Sequence, residues 1–524
     1  MLYSSKKNIK DKLDTFTKLK ILREVWLIMK YDFLFKNGRI VDPANNKDFI
    51  GDVAIKGDKI AKVSKGISNY LAEQVINISG KVIIPGIIDT HCHIARPEVK
   101  GAGYRMLINA GVTTAFDFEG PIEVIKQEIT KYGCGLNVAV LEAIYPENGI
   151  KSKNPSVKEL KKVINESLDN GAIGIKILGG HYPLTPEATY NIFQITHQEK
   201  GYMGFHVGTT ETGSNILGVQ EAIKLSEGKP LHIAHVNAYC RGYIEDPLLE
   251  LKIVMDILKK SPNIVSESHL ALRNGCYGGI NENGIPISYV LRNSLKANGY
   301  QVSKEGLEEA LRVKYAGVYA LRGSRTKYIY GDEAINYWKE HEYKVGICFP
   351  INRRRSAEVC ATERDNGSFV VDAISSDGGA IPRNCILSHG LPLVRFCALS
   401  LSELVQKISL NPSRMLGLKN KGHLSTGADA DITIFDPDDA KVEIVLIKGK
   451  ACMVSGIIFD NPGTLIVTQR GANRFKKQEI PLEVIDLEDS LFLKGKRGED
   501  KEFKYCKLGN RLIRKIKEAI KYEK

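Results

Sequence analysis

The sequence lacks any apolar run of the roughly 18–20 residues that a membrane-spanning helix requires. It also lacks a secretory leader, because residues 1–28 are rich in lysine and hold no long apolar segment before a small-residue cleavage site. The ten cysteines are scattered, without a Cys-x-x-Cys pair, which is unlike a disulfide framework. These absences predict a cytoplasmic protein with reduced thiols and no membrane partner.

Signs of nucleic-acid binding are few, although the formal net charge is +13. Residues 1–28 contribute +4 and residues 471–524 contribute +5, so the long middle part carries only +4. No basic patch with interleaved aromatic residues and no nucleic-acid-binding motif occurs. We therefore expect no nucleic-acid partner and read the two charged ends as solvated surface.

Short strand-like runs separated by turns occupy two separate parts of the 524 residues. The first part, residues 29–84, starts with two strand-like runs around an Asn37-Gly38 turn, a typical hairpin signal. The second part, residues 422–470, has the same pattern. We expect these two parts to form one small β-sandwich domain built from both ends of the chain.

Between them, residues 85–421 alternate strand-like apolar runs with helix-like segments such as 156–171 and 185–201. Eight such units predict an α/β fold of the (β/α)8 TIM type, whose active sites lie at the carboxyl ends of the strands. The gap between the seventh and eighth strands, about 272–371, is far longer than one helix. It predicts an insertion at the barrel mouth.

The remaining segments are predicted to be extensions. Residues 1–28 stand apart from the first strand as an N-terminal extension, and residues 471–524 form a basic C-terminal extension. In the latter, Leu508, Leu512, Ile516 and Ile520 recur every four residues, which predicts a docking helix with basic flanks. We assign no chemistry to either extension.

The stretch "KVIIPGIIDTHCH" is the first chemical signal. Its apolar run reads as a buried strand, and His91 and His93 follow two residues apart. Side chains two apart on a strand point the same way, so both imidazoles should project together while Cys92 points away. A pair of neutral imidazoles is a half-site for a divalent metal, although one His-x-His alone also occurs by chance.

Other metal-ligating and ionisable residues lie late in other predicted strands. Each has an ordinary explanation when it is taken alone: a snorkelling lysine, a packed histidine or a helix-capping aspartate. His232 lies three residues before another histidine of its strand and should face the opposite side. Together, however, the residues should converge on the barrel mouth as a metal site: His91 and His93 on the first strand, Lys176 on the fourth, His206 on the fifth, His235 on the sixth and Asp377 on the eighth.

With these residues in place, the chain resembles the amidohydrolase superfamily of metal-dependent hydrolases over about residues 30–455. The resemblance is carried by "PGIIDTHCH", the lysine of "GIKILGG", the strand ends "FHVG" and "IAHVN", "SSDGG", and the closing "GHLSTGADADITIFD". It implies a barrel flanked by a small β-sandwich and a site with two divalent metal ions, commonly zinc.

The resemblance also implies roles for individual residues. His91, His93 and Asp377 would hold one metal, and His206 and His235 the other. Lys176, carboxylated by carbon dioxide, would bridge them, because a plain ammonium has no lone pair to donate.

The implied reaction is hydrolysis of a C–N amide bond other than a peptide bond. Coordination lowers the pKa of water from about 15.7 toward 7, which provides a nucleophile at neutral pH. Asp377 would take the proton of that water and deliver it to the leaving nitrogen. The small-molecule amide is then the expected partner, while the sequence leaves open whether the chain forms a homo-oligomer.

Within the superfamily, the motifs point to two branches. The segment from "SSDGG" to "KNKGHL" looks like D-aminoacylases, which cleave linear N-acyl amino acids. That branch usually has a ligating cysteine after the second strand, whereas this strand ends "AFDFEG". "SESHLAL" looks more like dihydroorotases and hydantoinases, yet dihydroorotases carry an arginine where Ala95 stands, one residue before Arg96. We favour a linear N-acyl amino acid, with a cyclic amide as the alternative.

Substrate contacts are expected from residues near the strand ends. His181 and His269 are placed to touch a substrate, while Arg96, Arg241 and the run Arg353–Arg355 could bind a carboxylate. Two other classes stay open: a single-metal deaminase, for which Glu211 lies poorly spaced after His206, and a non-catalytic binding protein. If Lys176 is not the bridge between the metals, Glu119 is the next candidate.

Overall fold

The computed structural model describes residues 30–96, 99–364, 367–475 and 480–495. The strands in chain order are β1 Tyr31–Asp42, β2 Lys47–Lys56, β3 Lys59–Ser64, β4 Ala72–Asn77, β5 Val82–Pro85, β6 Ile87–His93, β7 Val112–Asp117, β8 Asn137–Ile144, β9 Gly174–Leu178, β10 Tyr202–His206, β11 Leu231–Ile233, β12 Ile264–His269, β13 Cys276–Tyr277, β14 Gly317–Arg322, β15 Arg325–Ile329, β16 Gly346–Cys348, β17 Ala373–Ser375, β18 Gly378–Gly379, β19 Ile432–Phe435, β20 Val442–Ile447, β21 Lys450–Val454, β22 Ile457–Ile458, β23 Thr464–Thr468 and β24 Leu482–Ile485.

The α-helices in chain order are α1 Ala102–Asn109, α2 Ile122–Tyr132, α3 Val157–Asp169, α4 Pro186–Gln198, α5 Ile216–Ser226, α6 Pro247–Lys259, α7 Tyr289–Ala297, α8 Lys304–Arg312, α9 Gly331–Glu340, α10 Arg353–Ala361, α11 Ile386–Arg395, α12 Leu401–Val405, α13 Asn411–Leu416, α14 Gln469–Phe475 and α15 Leu491–Lys494. In the described part of the chain, no helix combines the length and the apolarity that crossing a membrane would need.

A barrel of parallel strands forms the main body. Its strands pair in the order β6, β7, β8, β9, β10, β11, β12 and β17. The short strand β18 follows β17 and pairs in parallel with the end of β6, which joins the last strand to the first. This arrangement confirms the predicted (β/α)8 fold class, and it brings the carboxyl ends of the strands to one mouth.

The first predicted strand is in fact two strands, so this reading of "KVIIPGIIDTHCH" was wrong. Strand β5 pairs with β1 and β19 outside the barrel, whereas β6 pairs with β7 inside it. Gly86 lies between them, where a Cβ atom would stand 2.1 Å from Thr113 Oγ1. The chain can therefore change sheets only because no side chain occupies this position.

Two predicted helices are confirmed with their caps. Helix α3 follows Ser156, whose side chain accepts a hydrogen bond from Glu159 N, and α4 follows Thr185, which accepts one from Ala188 N. Each cap satisfies a backbone donor that the first helical turn leaves free. The apolar residues of α3, among them Leu160 and Leu168, pack against the barrel.

Both ends of the described chain build the second sheet. It has nine strands in the order β22, β21, β20, β19, β5, β1, β2 and β3, with β4 beside β1. Its buried face includes Ile40 from β1, Ile83 from β5, Ile434 from β19 and Leu446 from β20. A β-domain from the two ends is thus confirmed, and its strands form one continuous sheet.

The segment between β12 and β17 is a subdomain with its own core, which we call the insertion (residues 272–371). Its four strands pair antiparallel in the order β13, β16, β14 and β15, and helices α7 to α9 pack around them, while α10 packs against barrel strand β12. Leu295, Leu307, Val318, Trp338 and Ile347 form its centre and are fully buried.

The sequence predicted that the chain after β22 adds a strand to the β-sandwich and then continues as a solvated extension. The structure differs from this prediction. Strand β23 pairs in parallel with barrel strand β8, and β24 pairs with β23. Phe492 of α15 is fully buried and stacks on Tyr202 of the barrel with ring centroids 3.9 Å apart. The chain therefore returns to the barrel. The predicted extension 1–28 and the predicted helix around 508–520 lie outside the described residues.

A buried ion cluster ties the β-domain to this returning segment. Lys421 Nζ lies 2.7 Å from Asp429, 2.8 Å from Asp431 and 3.3 Å from Glu483 of β24. The lysine side chain is only 1% exposed. Removing the cation would leave Asp431 without its counter-ion in a poorly hydrated place, whereas Asp429 keeps Lys59 and Glu483 keeps Lys448.

We predict that Lys421→Met lowers the free energy of unfolding by about 3–5 kcal/mol, the usual cost of breaking a buried ion pair from one side. Chemical denaturation measures this loss. Lys419→Met is the matched control, since the Lys419 side chain is 68% exposed and its pair with Asp489 should contribute less than about 1 kcal/mol. Equal losses in the two variants would contradict the role of the cluster.

Candidate functional site

His91 and His93 end strand β6 and point into the mouth of the barrel. Asp377 Oδ1 lies 3.0 Å from His93 Nε2 and 3.6 Å from His91 Nε2. One ligand atom from each of these three buried residues lies within 4.8 Å of the others, a spacing that a single metal ion can bridge. Cys92, between the two histidines, is buried on the opposite side of the strand.

The outer nitrogens of both histidines contact carboxylates. Glu267 Oε1 lies 2.7 Å from His91 Nδ1, and Glu119 Oε2 lies 2.9 Å from His93 Nδ1. A carboxylate on Nδ1 fixes the ring and leaves the lone pair on Nε2. Both free lone pairs then face Asp377, which is the orientation that metal ligands need.

His206 and His235 form a second pair on the neighbouring strands. His206 Nδ1 and His235 Nε2 are 3.1 Å apart. His206 Nε2 contacts the Ser214 hydroxyl at 3.0 Å. The His91 and His235 rings lie 5.1 Å apart between centroids, so the two histidine pairs share one site.

Lys176 lies between the two pairs. Its Nζ is 3.2 Å from His91 Nε2 and 5.1 Å from the centroid of the Phe118 ring. The side chain is fully enclosed at 1% exposure. A solvated, snorkelling lysine would keep its ammonium in water, so this ordinary explanation does not describe Lys176.

Asp377 is held by residues from both sides of the mouth. Arg383 Nη2 lies 2.7 Å from Asp377 Oδ2, and Arg383 Nε donates to the Asp377 carbonyl oxygen. His269 Nε2 lies 3.8 Å from the same Oδ2. Because Arg383 occupies Oδ2, the other oxygen is turned toward His91 and His93.

Two site residues have an unusual backbone conformation. His235, two residues past β11, has φ +30°, and Asp377, between β17 and β18, has φ +52°. A left-handed conformation costs a non-glycine residue on the order of 1–3 kcal/mol and often marks a functional position. Here the sharp turns carry both side chains into the mouth.

Burial dominates the electrostatics of the site. It lowers the pKa of His91, His206 and His235 well below the usual value, so these imidazoles are neutral and carry free lone pairs. Burial also lowers the pKa of Lys176, although nearby carboxylates oppose the shift. For Asp377, burial would raise the pKa, but the charge of the neighbouring Arg383 opposes this shift, and the pKa lies well below its usual range.

The site opens into a cavity of about 700 Å³. His93, Lys176, His206, His235 and Asp377 line its inner end. Its outer part is lined by loops of the barrel and by residues of the insertion. A cavity of this size can enclose a small organic substrate.

The residues expected to contact a substrate are distributed around this cavity. His181 lines it with its ring 5.1 Å from that of His206, and Arg241 lines it after β11. Arg96 also lines it, but its Nη2 is paired with Glu119 at 2.7 Å. His269 is not among the residues that line the cavity; its Nε2 lies 3.8 Å from Asp377 Oδ2 and 3.4 Å from Asn237 Nδ2.

Some residues that the sequence suggested for substrate binding lie outside the site, and two residues of the site were not predicted. Arg353–Arg355 lie on α10 away from the cavity, where Arg354 and Arg355 pair with Glu358. The prediction that His232 faces the opposite side of its strand was wrong, because it lies in register with Gly204, which pairs with Lys176. Its ring packs inside the barrel 4.8 Å from that of Phe118 and contacts the Tyr202 hydroxyl. Glu267 and Arg383 were not predicted, although Glu267 shares a strand face with His269 two residues later.

Comparison with known proteins places the chain in a family. The amidohydrolase family profile matches residues 297–459. A dihydroorotase of Lactococcus lactis is 39% identical over 420 residues, covering 78% of this chain and 90% of its own. A dihydroorotase of Elusimicrobium minutum is 26% identical over 442 residues, covering 78% and 88%.

Solved structures share the fold. N-acyl-D-glutamate deacylase from Bordetella bronchiseptica, complexed with zinc and a phosphonate mimic of the tetrahedral intermediate, has a TM-score of 0.61 at 14% identity, covering 83% of this chain and 99% of its own. A D-aminoacylase studied for its binuclear metal centre has a TM-score of 0.60 at 16% identity, with coverage of 83% and 99%. A D-hydantoinase has a TM-score of 0.54 at 16% identity, with coverage of 82% and 98%.

Three observations agree with one another. The fold is a parallel barrel, histidines and Asp377 cluster at its mouth, and the chain is 39% identical to a relative over most of both chains. The protein is a hydrolase of carbon–nitrogen bonds other than peptide bonds, and it belongs to the amidohydrolase family.

Proposed function

We propose that the protein cleaves the amide bond of an N-acyl amino acid or a similar small linear amide at a binuclear metal centre. In this proposal His91, His93 and Asp377 hold one divalent ion, and His206 and His235 hold the other. Carboxylated Lys176 bridges the two ions, and zinc is the proposed metal. The observation that carries the proposal is the convergence of these six buried side chains at one barrel mouth.

The residues present fit such a centre. The imidazoles of His91, His206 and His235 are neutral, and the outer nitrogens of His91 and His93 contact Glu267 and Glu119. Imidazole and carboxylate donors suit zinc. With their Nδ1 atoms occupied, His91 and His93 present their Nε2 atoms on the side of Asp377.

The environment of Lys176 supports its carboxylation. An amine reacts with carbon dioxide only in its neutral form, and burial lowers the Lys176 pKa and so raises the neutral fraction. The new C–N bond would turn a cation into a carbamate with two oxygens. In a site with Glu119, Asp377 and Glu267 nearby, that added negative charge is unfavourable unless cations balance it.

Divalent ions bound here would polarise a carbonyl and lower the pKa of water from about 15.7 toward 7. The protein's own contribution is to place Asp377. Its Oδ1 faces the histidines, where it can accept a proton from water and later donate it to the leaving nitrogen. Arg383 fixes the carboxylate through Oδ2 and so keeps Oδ1 aimed at the reaction.

Substrate binding is proposed for His181, His269, Arg96 and Arg241. Among them Arg241 is suited to a carboxylate, since its Nε is buried with no hydrogen-bond partner in the described part of the protein. A bound carboxylate could satisfy this group with two parallel hydrogen bonds. Arg96 is engaged by Glu119 and would contribute charge at longer range.

A cyclic amide is the second candidate. Its support is that the curated relatives are dihydroorotases and that one structural neighbour is a D-hydantoinase. Ring opening of a cyclic amide would use the same residues, because it also breaks a C–N bond at a carbonyl. The two candidates differ only in the substrate that fills the cavity.

A direct test combines metal analysis with a substrate panel. We expect about two divalent ions per chain in protein purified without chelator, in line with a two-metal site, and loss of hydrolysis after their removal. N-acyl-D- and N-acyl-L-amino acids, hydantoins and dihydroorotate form the panel. Active protein with no bound metal would overturn the proposal, and turnover of the cyclic amides alone would favour the second candidate.

Asp377→Asn should reduce kcat by at least about 10²–10⁴, because the amide keeps the shape but cannot accept a proton. Steady-state kinetics at saturating substrate measures the change. Asp436→Asn serves as the control, since Asp436 pairs with Lys81 on the β-domain, far from the mouth. Near-normal turnover by the Asp377 variant would remove this residue from proton transfer.

Lys176→Ala should lose bound metal together with activity, since the two ions would then repel one another without a bridging anion. Added formate or acetate should partly restore activity in a concentration-dependent way by supplying a carboxylate bridge. Lys153→Ala, a change at the Tyr182 rim of the cavity, should keep both metal and activity. Full metal content and full activity in the Lys176 variant would show that the lysine is structural, and Glu119 would become the candidate bridge.

A further inference from the structure

The cavity changes character from its inner to its outer end. Close to the histidines it is lined by Arg241, whose Nε has no hydrogen-bond partner in the described residues, and by Arg96 and Arg383, which pair with Glu119 and Asp377. Farther out, the insertion contributes large side chains with exposed apolar surface. Ile287 is 49% exposed, Tyr277 is 44% exposed and Leu321 is 36% exposed, and all three line this cavity.

Strand β14 shows how this outer wall is built. Val318 and Ala320 are buried in the core of the insertion, while Tyr319 and Leu321 alternate with them and line the cavity. This period-two pattern places one face of the strand in the core and the other toward the cavity. The wall is therefore a part of a folded subdomain.

The neighbouring loop is fixed as well. Trp338 is fully buried and its Nε1 donates a 3.0 Å hydrogen bond to the Gly278 carbonyl, directly after Tyr277. Tyr337, the residue before this tryptophan, also lines the cavity. Tyr277, Ile287 and Leu321 thus keep exposed apolar surface at the outer end of the cavity, while Tyr337 packs against the core of the insertion.

We infer that the insertion is a specificity element that selects amides carrying both a carboxylate and a bulky apolar or aromatic group. We call Tyr277, Ile287, Tyr319, Leu321 and Tyr337 the apolar wall. The inference rests on the proposed amide hydrolysis and names its substrate class. The carboxylate is held at the arginine-lined inner end, and the bulky group covers the apolar wall.

The physical basis is the exposed surface itself. Apolar area that a ligand removes from water contributes roughly 25 cal/mol per Å². A small polar ring bound at the histidines would leave the apolar wall in contact with water. A bulky group would bury this surface, so the wall favours larger substrates over small cyclic amides.

The test compares matched substrates. N-acetylalanine is the reference, N-acetylphenylalanine places the bulk on the amino acid, and N-(phenylacetyl)alanine places it on the acyl group. We expect kcat/KM to be at least about tenfold higher for one of the two bulky substrates, as for a well-filled apolar pocket. The bulky substrate with the higher kcat/KM shows which side of the amide bond contacts the apolar wall.

Substitutions in the apolar wall test whether the wall causes the preference for bulky substrates. Leu321→Ser and Ile287→Ser should each reduce the ratio of bulky to reference kcat/KM several-fold, whereas Val313→Ser should leave it unchanged. Val313 is a suitable control because it is 59% exposed on the same insertion and does not line the cavity. Equal ratios in all three variants would overturn the inference.

A binding measurement separates this inference from the proposed function. Calorimetric titration with N-benzylglycine and N-ethylglycine, which have no amide bond to cleave, should show at least about tenfold tighter binding of the benzyl compound. Tighter binding without hydrolysis of any amide would support the wall and refute amide hydrolysis. Hydrolysis without any preference for bulk would support amide hydrolysis and refute the wall.

Discussion

The carboxylate of Glu267 is the group on which the arrangement of the site depends. It is fully enclosed on β12, where an isolated charge would be costly. Three donors satisfy it: His91 Nδ1 at 2.7 Å, the His235 backbone N–H at 2.5 Å and the Ser375 hydroxyl. Since these donors belong to three other strands or strand ends, one side chain fixes the relative positions of both histidine pairs and of the chain leading to Asp377.

Asp89 fixes the chain in a similar way where the barrel closes between β6 and β18. Its carboxylate accepts hydrogen bonds from the backbone and the hydroxyl of Ser376 and from the backbone of His91. Burial raises the pKa of both groups, and the hydrogen bonds that they accept oppose this shift. The cost of burying these groups is offset only when the surrounding strands supply all of their donors, so the carboxylates favour one strand arrangement.

The parts of the structure that local patterns determine were predictable from the sequence. Alternating strands and helices gave the barrel, and the helices predicted over 156–171 and 185–201 begin at Ser156 and Thr185, which the structure shows as their caps. The convergence of His91, Lys176 and Asp377 followed from their late positions in successive strands, because parallel strands end at one mouth. The role of each residue at the mouth is a proposal that rests on the chemistry of its side chain.

The rest depended on contacts that a linear pattern does not contain. The break at Gly86 was missed because the apolar run continues through it, and only the close approach of Thr113 shows where the sheets separate. Glu267 looked like one polar residue in a strand until its donors were visible. Arg383 reaches Asp377 from a loop whose path the sequence does not define. The pairing of β23 with β8 was missed since strand partners are not encoded locally.

The β-domain sheet has a consequence for the order in which the molecule can assemble. Strand β5 pairs with β19, and Lys81 meets Asp436, a residue 355 positions later. Strand β5 thus lacks its neighbour β19 until almost the entire barrel has been synthesised, although β1 to β5 can already pair with one another. Contacts of such long range slow folding and leave strand edges unpaired for longer. The apolar face that includes Ile40 and Ile83 therefore stays without its partner strand during synthesis, and it is the surface that a chaperone would need to shield.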